Sequence, residues 1–496
     1  MICVSLGRAR HTRMIAEHKY LVEQGAELVE LRLDFIGRAV NLKRLIENRP
    51  GPVVVTCRRR EDGGRWMKSE QERMMLLRSA IAAGVEYVDI EADVASQIPR
   101  YGNTKRVISY HKFSDTPDEI EQIADAMAEE DADIVKLATM ATTFSDNLRM
   151  LNMVKNARRP TIGICMGEIG MVTRILGERV GSPFTYATYS VDKKLAPGQL
   201  NWKEMMELYR YKEINQDTEL FGVIADPVAN SHAHLVQNTA FYEQGLNARY
   251  LPFRVPRDDL HKFMQAAREL GISGVSVDTP HMENVVDYCT QAESSASGIG
   301  AVNTLIFQGK DNLGYNTDYR AAMDCISETF NLKKGIEKPM QGVAVMILGA
   351  GGVARAVAWG LRQRGADVTI ASRTMEKSQL LASEIGCRCV EWAERHDPKV
   401  NLLVNATPMG MHPDVDRSPF DAAQLNQFMV VFDAVYNPES TLLIKYARKQ
   451  GCRIITGVDM FVRRLAYQYK LFTGRDAPTR LMRKTIKEAT SPVRLN

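Results

Sequence analysis

The chain has 496 residues, enough for about three domains, and its 45% hydrophobic and 25% charged content is that of an ordinary globular protein. Its 64 basic and 60 acidic residues leave a net charge of +4 without a basic or acidic tail, which argues against nucleic acid as a partner. Eight scattered cysteines, no apolar run of membrane length and an N-terminus (MICVSLGRAR) without an apolar leader core point to a cytoplasmic protein with reduced thiols, no metal and no membrane partner.

In chain order, apolar runs at 2–6, 28–33, 53–57, 87–90, 106–110, 134–138, 161–165 and 184–187 make eight candidate strands. Helical stretches such as 70–83 and 117–129 lie between them. Eight βα units in about 210 residues fit an α/β fold of the (β/α)8 barrel type, whose chemistry sits at the C-terminal strand ends. Reactive residues cluster there. Strand two ends Glu30-Leu31-Arg32-Leu33-Asp34, strand three reaches Arg58, and strand four gives Asp89-Ile90-Glu91. Strand five gives Ser109-Tyr110-His111, strand six carries Lys136, and Arg174 follows strand seven.

Lys136 is the most informative of these. Inside Ile134-Val135-Lys136-Leu137-Ala138 a lysine cannot easily snorkel, and a desolvated amine is able to attack a ketone. A protonated imine then acts as an electron sink for removing a proton from the adjacent carbon. His111 on the neighbouring strand is the natural base, Glu91 is placed to fix its tautomer, and Arg174 is a carboxylate anchor. The bland alternative is a buried Lys–Glu pair of structural value only.

Glu30-Leu31-Arg32-Leu33-Asp34, Ser109-Tyr110-His111-Lys112-Phe113, Asp133-Ile134-Val135-Lys136 and Ala196-Pro197-Gly198-Gln199 resemble type I 3-dehydroquinate dehydratases across the first domain, 1–212. The resemblance implies a Schiff base through Lys136 and acid–base work by His111, oriented by Glu91. It further implies that Arg174 holds the substrate carboxylate while Glu30, Arg32, Arg58 and Gln199 complete the pocket. One departure is Leu195, where that family has serine.

Residues 201–211 read as the last barrel helix and 212–219 as a polar connector. A strand at 220–224, a turn, a helix over 230–242, and strands at 248–252, 274–277 and 302–307 open the second half. An apolar strand at 343–348 is then broken by Gly349-Ala350-Gly351-Gly352 and followed by a helix over 354–364 and a strand over 367–371. Strand, glycine turn, helix and strand within about thirty residues form the mononucleotide-binding unit of a doubly wound sheet. Glycine lets a diphosphate approach backbone N–H groups, and the helix N-terminus adds donors and partial positive charge. The second strand ends in Ser372-Arg373-Thr374, with Lys377 a turn later, in place of an acidic residue. A guanidinium there pairs with a 2′-phosphate, so NADP is the expected cofactor; a packing turn with a solvated arginine is the alternative. Strands at 402–405, 430–433 and 453–456 follow, and a helical tail from 460 is expected to pack across the substrate domain.

Ala301-Val302-Asn303-Thr304, Gly314-Tyr315-Asn316-Thr317-Asp318, the glycine turn, Ser372-Arg373-Thr374, Asn405-Ala406-Thr407-Pro408-Met409-Gly410, the run Phe432 to Pro438, and Leu471-Phe472-Thr473-Gly474 make this half similar to shikimate dehydrogenases. The similarity implies an α/β substrate domain over 220–335 plus 457–496 and an NADP-binding Rossmann domain over 336–456. It implies a catalytic Asp318 and substrate contacts from Ser231, Asn303 and Arg464. The implied cofactor contacts are Gly349, Ala350, Gly351, Gly352, Val353, Ser372, Arg373, Thr374, Lys377, Asn405, Thr407, Met409 and Gly457. A dehydratase fused to such a dehydrogenase implies consecutive shikimate-pathway steps toward aromatic amino acids, with 3-dehydroquinate and 3-dehydroshikimate as small-molecule substrates.

The substrate pocket departs from that pattern. The family motif Val-Thr-Ile-Pro-(His/Phe)-Lys appears as Val277-Asp278-Thr279-Pro280-His281-Met282, so methionine stands at the catalytic lysine position. One of two carboxylate-gripping serines is Ala233, and the glutamine of the C-terminal helix is Arg464. A thioether neither donates a proton nor stabilises an alkoxide, a loss worth about two powers of ten in rate, and Asp318 without a cation should have a higher pKa. Three readings are open: reduction of 3-dehydroshikimate with His281, His232, His234 or Arg464 replacing the lysine; reduction of a related carboxylate; or a non-catalytic NADP-binding module.

Overall fold

The computed structural model describes residues 1–190, 195–229, 231–333, 335–397 and 399–491. Asn230, where the sequence starts a helix, lies outside the described residues; the helix itself runs Ala233–Glu243. The chain folds as two compact units, one of Met1–Glu219 with Phe253–Gly271 and the other of Leu220–Pro252 with Ile272 onward.

The first unit contains β1 (Ile2–Leu6), β2 (Leu28–Arg32), β3 (Val53–Thr56), β4 (Tyr87–Glu91), β5 (Lys105–Lys112), β6 (Ile134–Met140), β7 (Thr161–Met166) and β8 (Thr185–Thr188). The ladders joining them are parallel, the order is β7-β6-β5-β4-β3-β2-β1-β8, and the sheet curls into a near-closed barrel. Both faces of each strand are covered, so the strands read as continuous apolar runs. Alternation sorts the side chains. Val29, Leu31, Val53, Val55, Val88, Ile90, Ile108, Val135 and Leu137 join the core under the helices. Leu28, Val54, Val107, Ile134, Ile162 and Phe184 form a separate cluster that fills the barrel floor. On that floor stand the polar residues of the same faces, Glu30, Thr56, Asp89, Ser109 and Lys136, all buried.

Residues Phe253–Gly271 group with the barrel. Phe253 and Phe263 close on Phe144, with ring centroids 5.6 and 4.7 Å away, and the Asp259 carboxylate accepts the Phe144 N–H at 2.6 Å. That carboxylate lies at the N-terminal end of helix Ser145–Asn156, where a negative charge is favoured.

The second unit holds two sheets. The first, in the order β10-β9-β11-β13-β14-β12, comprises β9 (Glu219–Ala225), β10 (Ala248–Arg254), β11 (Ile272–Val277), β12 (Gln291–Ala292), β13 (Thr304–Gln308) and β14 (Asp311–Tyr315). The β13–β14 hairpin escapes the sequence reading because Asp311 and Asn312 interrupt any apolar alternation. The second sheet comprises β15 (Ala344–Leu348), β16 (Asp367–Ala371), β17 (Arg388–Val390), β18 (Leu402–Asn405), β19 (Val430–Asp433) and β20 (Arg453–Ile455). Its ladders are parallel in the order β17-β16-β15-β18-β19-β20, so the strand order reverses beside β15. That crevice is where doubly wound sheets bind nucleotides. Helices Gly457–Thr473 and Thr479–Thr490 return to the first of these sheets, burying Leu465, Tyr469, Phe472, Met482 and Ile486 against Phe221 and Phe241. No described helix is long and apolar enough to cross a membrane.

Candidate active sites

Seven of the residues singled out in the barrel, Glu30, Arg32, Arg58, His111, Lys136, Arg174 and Gln199, line one cavity at the C-terminal ends of the strands. Lys136 Nζ donates to Asp89 Oδ2 at 2.8 Å. Asp89 Oδ1 also accepts from Arg58 Nη2 and from Ser109 Oγ, each at 2.6 Å. Burial opposes the Asp89 charge, but Arg58 and Lys136 outweigh it and hold the carboxyl far below the usual range. Asp89 therefore anchors the amine, and the sequence reading gives it no role. The signal that could have found it is strand alternation, which puts residues 89 and 91 on the same face.

Glu91 requires a correction. The sequence sets it behind His111, but its Oε1 accepts from Arg58 at 2.8 Å and its Oε2 from Arg73 at 2.5 Å. Arg73, fully buried on helix Glu70–Ala82, and Arg58 are thus the partners of Glu91, and no hydrogen bond joins it to His111 among the described residues. Asp62, held by Arg59 Nε at 2.7 Å, lines the cavity as a second acid beside Glu30. His111 stacks on Phe113, and its Nδ1 has no hydrogen-bond partner among the described residues. Burial, with Arg58 and Lys136 nearby, lowers the His111 pKa well below the ordinary value, so the imidazole is neutral.

Arg174 projects from helix Gly167–Leu176 and is 2% exposed. Its only hydrogen bond among the described residues is a long one, 3.4 Å, to the Pro197 carbonyl, and no carboxylate pairs with it. Burial alone lowers its pKa to about 10. A buried guanidinium without a counter-ion is a ready anion site. Gln199 Oε1 accepts the Leu195 N–H at 3.0 Å, so the apolar residue in the serine's place is held against the cavity.

A second cavity lies within the other unit, lined by Asp226, Ser231, Asp278, Val353, Tyr436, Gly457, Asp318 and Arg464 among others. Arg464 Nη1 stands 3.7 Å from Asp318 Oδ1, an ion pair too long for a hydrogen bond. Burial raises the Asp318 pKa, Arg464 pulls it down and Asp278 pushes it up, leaving it above the usual carboxylate value. The direction is the expected one, but the cause is burial, since a cation is present. For Arg464 burial works against the charge, and Asp318 with Asp278 more than offsets it. Of the four groups considered as replacements for the lysine, Arg464 lines this cavity, while His232, His234 and His281 are not in its lining. Met282 is also outside the lining: it is buried, and a Cβ on Gly352 would stand 2.7 Å from its sulfur. Asn303 is buried beside the cavity residues, its Oδ1 accepting from Thr317 N at 2.8 Å and from the Thr304 and Thr317 hydroxyls. Gly457 cannot carry a side chain, because its Cβ would lie 2.1 Å from the Val435 carbonyl oxygen.

The nucleotide crevice is formed by the ends of β15, β16 and β18. Gly349 has φ +112°, and a Cβ there would meet the Ala406 carbonyl at 2.8 Å. Gly351 faces open space directly before helix Gly352–Gln363, so backbone donors are accessible with Ala350 and Val353 flanking them. Arg373, Thr374 and Lys377 are exposed at the end of β16, and neither cation makes an ion pair among the described residues. Ser372 Oγ accepts from Thr374 N at 3.3 Å. Asn405 is spent internally: its Oδ1 accepts from Thr407 N and Oγ1, and its Nδ2 donates to Asp433 Oδ1 and the Met409 carbonyl. It shapes the loop that carries Thr407 and Met409. A phosphate cradle, a following helix and two uncommitted cations fit a phosphorylated dinucleotide.

Comparison with known proteins gives three family matches: type I 3-dehydroquinase over residues 2–216, the shikimate dehydrogenase substrate binding domain over 223–305, and the saccharopine dehydrogenase NADP binding domain over 345–473. The chain is 34% identical to the chloroplastic bifunctional 3-dehydroquinate dehydratase/shikimate dehydrogenase of Arabidopsis thaliana, over 97% of this chain and 83% of that one. It is 37% identical to the NADP(+) shikimate dehydrogenase of Methanopyrus kandleri, over 55% of this chain and 97% of the relative. A solved shikimate dehydrogenase in complex with NADP+ superposes with a TM-score of 0.52 at 33% identity, covering 56% of this chain and 98% of that one.

Proposed function

The chain belongs to the family of bifunctional 3-dehydroquinate dehydratases/shikimate dehydrogenases, and on that premise we propose how its two sites divide the work. Residues 1–212 dehydrate 3-dehydroquinate to 3-dehydroshikimate, and residues 220–335 with 457–496 bind that product for NADPH-dependent reduction, the cofactor resting on 336–456. The observation that carries the first assignment is a buried lysine amine, Lys136, and a buried guanidinium without a carboxylate partner among the described residues, Arg174, on one cavity with a neutral His111. Eight cysteines without a disulfide support a reducing compartment, the cytoplasm.

Arg174 takes the substrate carboxylate and thereby orients the ring. Lys136 adds to the ketone, and the protonated imine draws electrons from the adjacent carbon. His111 removes the proton there and then gives it to the departing hydroxyl. Glu30, Arg32, Arg58 and Gln199 complete the wall around the polyol, with Asp62 as a further acid in the lining. Because His111 titrates below its ordinary value of about 6.5, the acid limb of the dehydratase kcat/KM profile is expected below pH 6.5. A limb at or above that pH would remove His111 as the base. Borohydride added during turnover should leave a stable adduct on Lys136, and an adduct elsewhere, or none, would sink the imine route.

In the second unit Arg464 takes over as the cation beside Asp318, and the two face the reacting oxygen of the substrate. Ser231 and Asn303 supply further substrate contacts. NADPH supplies the hydride when bound. Gly349, Ala350, Gly351, Gly352 and Val353 would hold its diphosphate, Ser372, Arg373, Thr374 and Lys377 its 2′-phosphate, and Thr407, Met409 and Gly457 the remainder, with Asn405 bracing that loop. Arg373→Ala is expected to weaken NADPH at least about tenfold while leaving NADH nearly unchanged. Equal loss of both in a titration would refute the phosphate clamp.

A further inference from the structure

Tyr186, on β8, lines the Lys136 cavity, and Lys136 Nζ lies 4.2 Å from its ring centroid. The residue is 4% exposed, and its hydroxyl has no hydrogen-bond partner among the described residues. Its polar neighbours are satisfied: Thr56 donates to Glu30, while Ser109 and Lys136 donate to Asp89. An unpaired buried hydroxyl costs stability, so phenylalanine would serve the packing better at this position. A hydroxyl kept at that cost on a ring that the reactive amine lies over, in a cavity that Leu195 also lines, is placed for a ligand.

We propose that the Tyr186 hydroxyl contacts the substrate, donating a hydrogen bond to the oxygen of the ketone that Lys136 attacks. This deepens the dehydratase reading and rests on it. As Nζ adds, the C–N bond forms and the carbonyl π pair moves to oxygen, which takes a proton that the amine gives up. The C–O bond then breaks, the oxygen departs as water with the second of the two protons that the Asp89-paired ammonium of Lys136 gives up, and the iminium remains. That oxygen is on the carbon bonded to Nζ, so its donor must stand next to Nζ. Tyr186 is the hydroxyl-bearing side chain whose ring is centred 4.2 Å from Nζ, and burial raises its phenol well above the usual value, which keeps it protonated and donating. His111 is thus left to work on the adjacent carbon and its hydroxyl leaving group.

The test is Tyr186→Phe in the full chain, which keeps the ring and removes only the oxygen. In single turnover with 3-dehydroquinate, the rate of forming the borohydride-trapped Lys136 adduct should fall about tenfold to a hundredfold. KM should change little, and the melting temperature should be unchanged or higher. Adduct formation at the unmodified rate would overturn the inference alone, and a lower melting temperature with normal trapping would assign the hydroxyl to structure. Absence of any adduct in the unmodified protein would overturn the dehydratase reading and this inference with it.

Discussion

Lys136→Ala is expected to abolish dehydration of 3-dehydroquinate, by more than about a thousandfold, and to eliminate the borohydride-trapped adduct, while the NADPH dissociation constant stays within about twofold. The argument is chemical before it is structural. Among the described residues no other amine lines the barrel cavity, and none of His111, Arg174 or Arg58 can form an imine. Removing one partner of a buried ion pair ordinarily destabilises a protein by about 3–5 kcal/mol, but here Asp89 keeps Arg58 at 2.6 Å and Ser109 at 2.6 Å. The carboxylate is not orphaned, so the barrel should still fold. Lys136→Met, closer in volume, separates the two effects: it should be as inactive as the alanine variant and more stable. Residual turnover above about one per cent in either variant would mean that the amine is not the nucleophile. A parallel collapse of NADPH binding would mean that the two activities are not independent.

Arg464→Gln should lower NADPH-dependent reduction of 3-dehydroshikimate by about a hundredfold or more without changing NADPH affinity. Asp318 is buried and shares its cavity with Asp278 and Asp226, and among the described residues Arg464 is the only cation in that lining. Without it the Asp318 pKa rises further, and the reacting oxygen loses its one positive partner. Unchanged or faster turnover in the variant would show that Arg464 does not replace the missing lysine. Met282→Lys complements the experiment. A silent unmodified chain that gains reductase activity through this substitution would favour a pocket that binds the cofactor without turning substrate over.

Much of this architecture is legible in the residues. The barrel strands lie within two residues of the apolar runs at almost every end, because strands covered on both faces leave uninterrupted β-branched sequence. The switch-point crevice is equally legible, since Gly349 and Gly351 serve needs that no other residue meets. What escapes is pairing across elements. Glu91 and His111 are near neighbours on adjacent strands, yet the partner of Glu91 is decided by Arg73, which reaches in from a helix and is invisible to a strand-by-strand reading. Asp89 is missed for the same reason: its importance comes from meeting Lys136 and Arg58, forty-seven and thirty-one positions away in sequence. The Arg464–Asp318 pair likewise joins a substitution on one element to an unaltered residue on another.

The docking of Phe253–Gly271 on the barrel bears on how such a chain can be divided. A gene cut after residue 219 would encode the eight strands but omit the phenylalanines that cover Phe144 and the carboxylate that accepts its N–H. The excised product would leave Phe144 without those two rings, and the remainder would carry Phe253 and Phe263 without Phe144. A dissection that respects the fold has to follow the contacts and cannot follow the order of the residues.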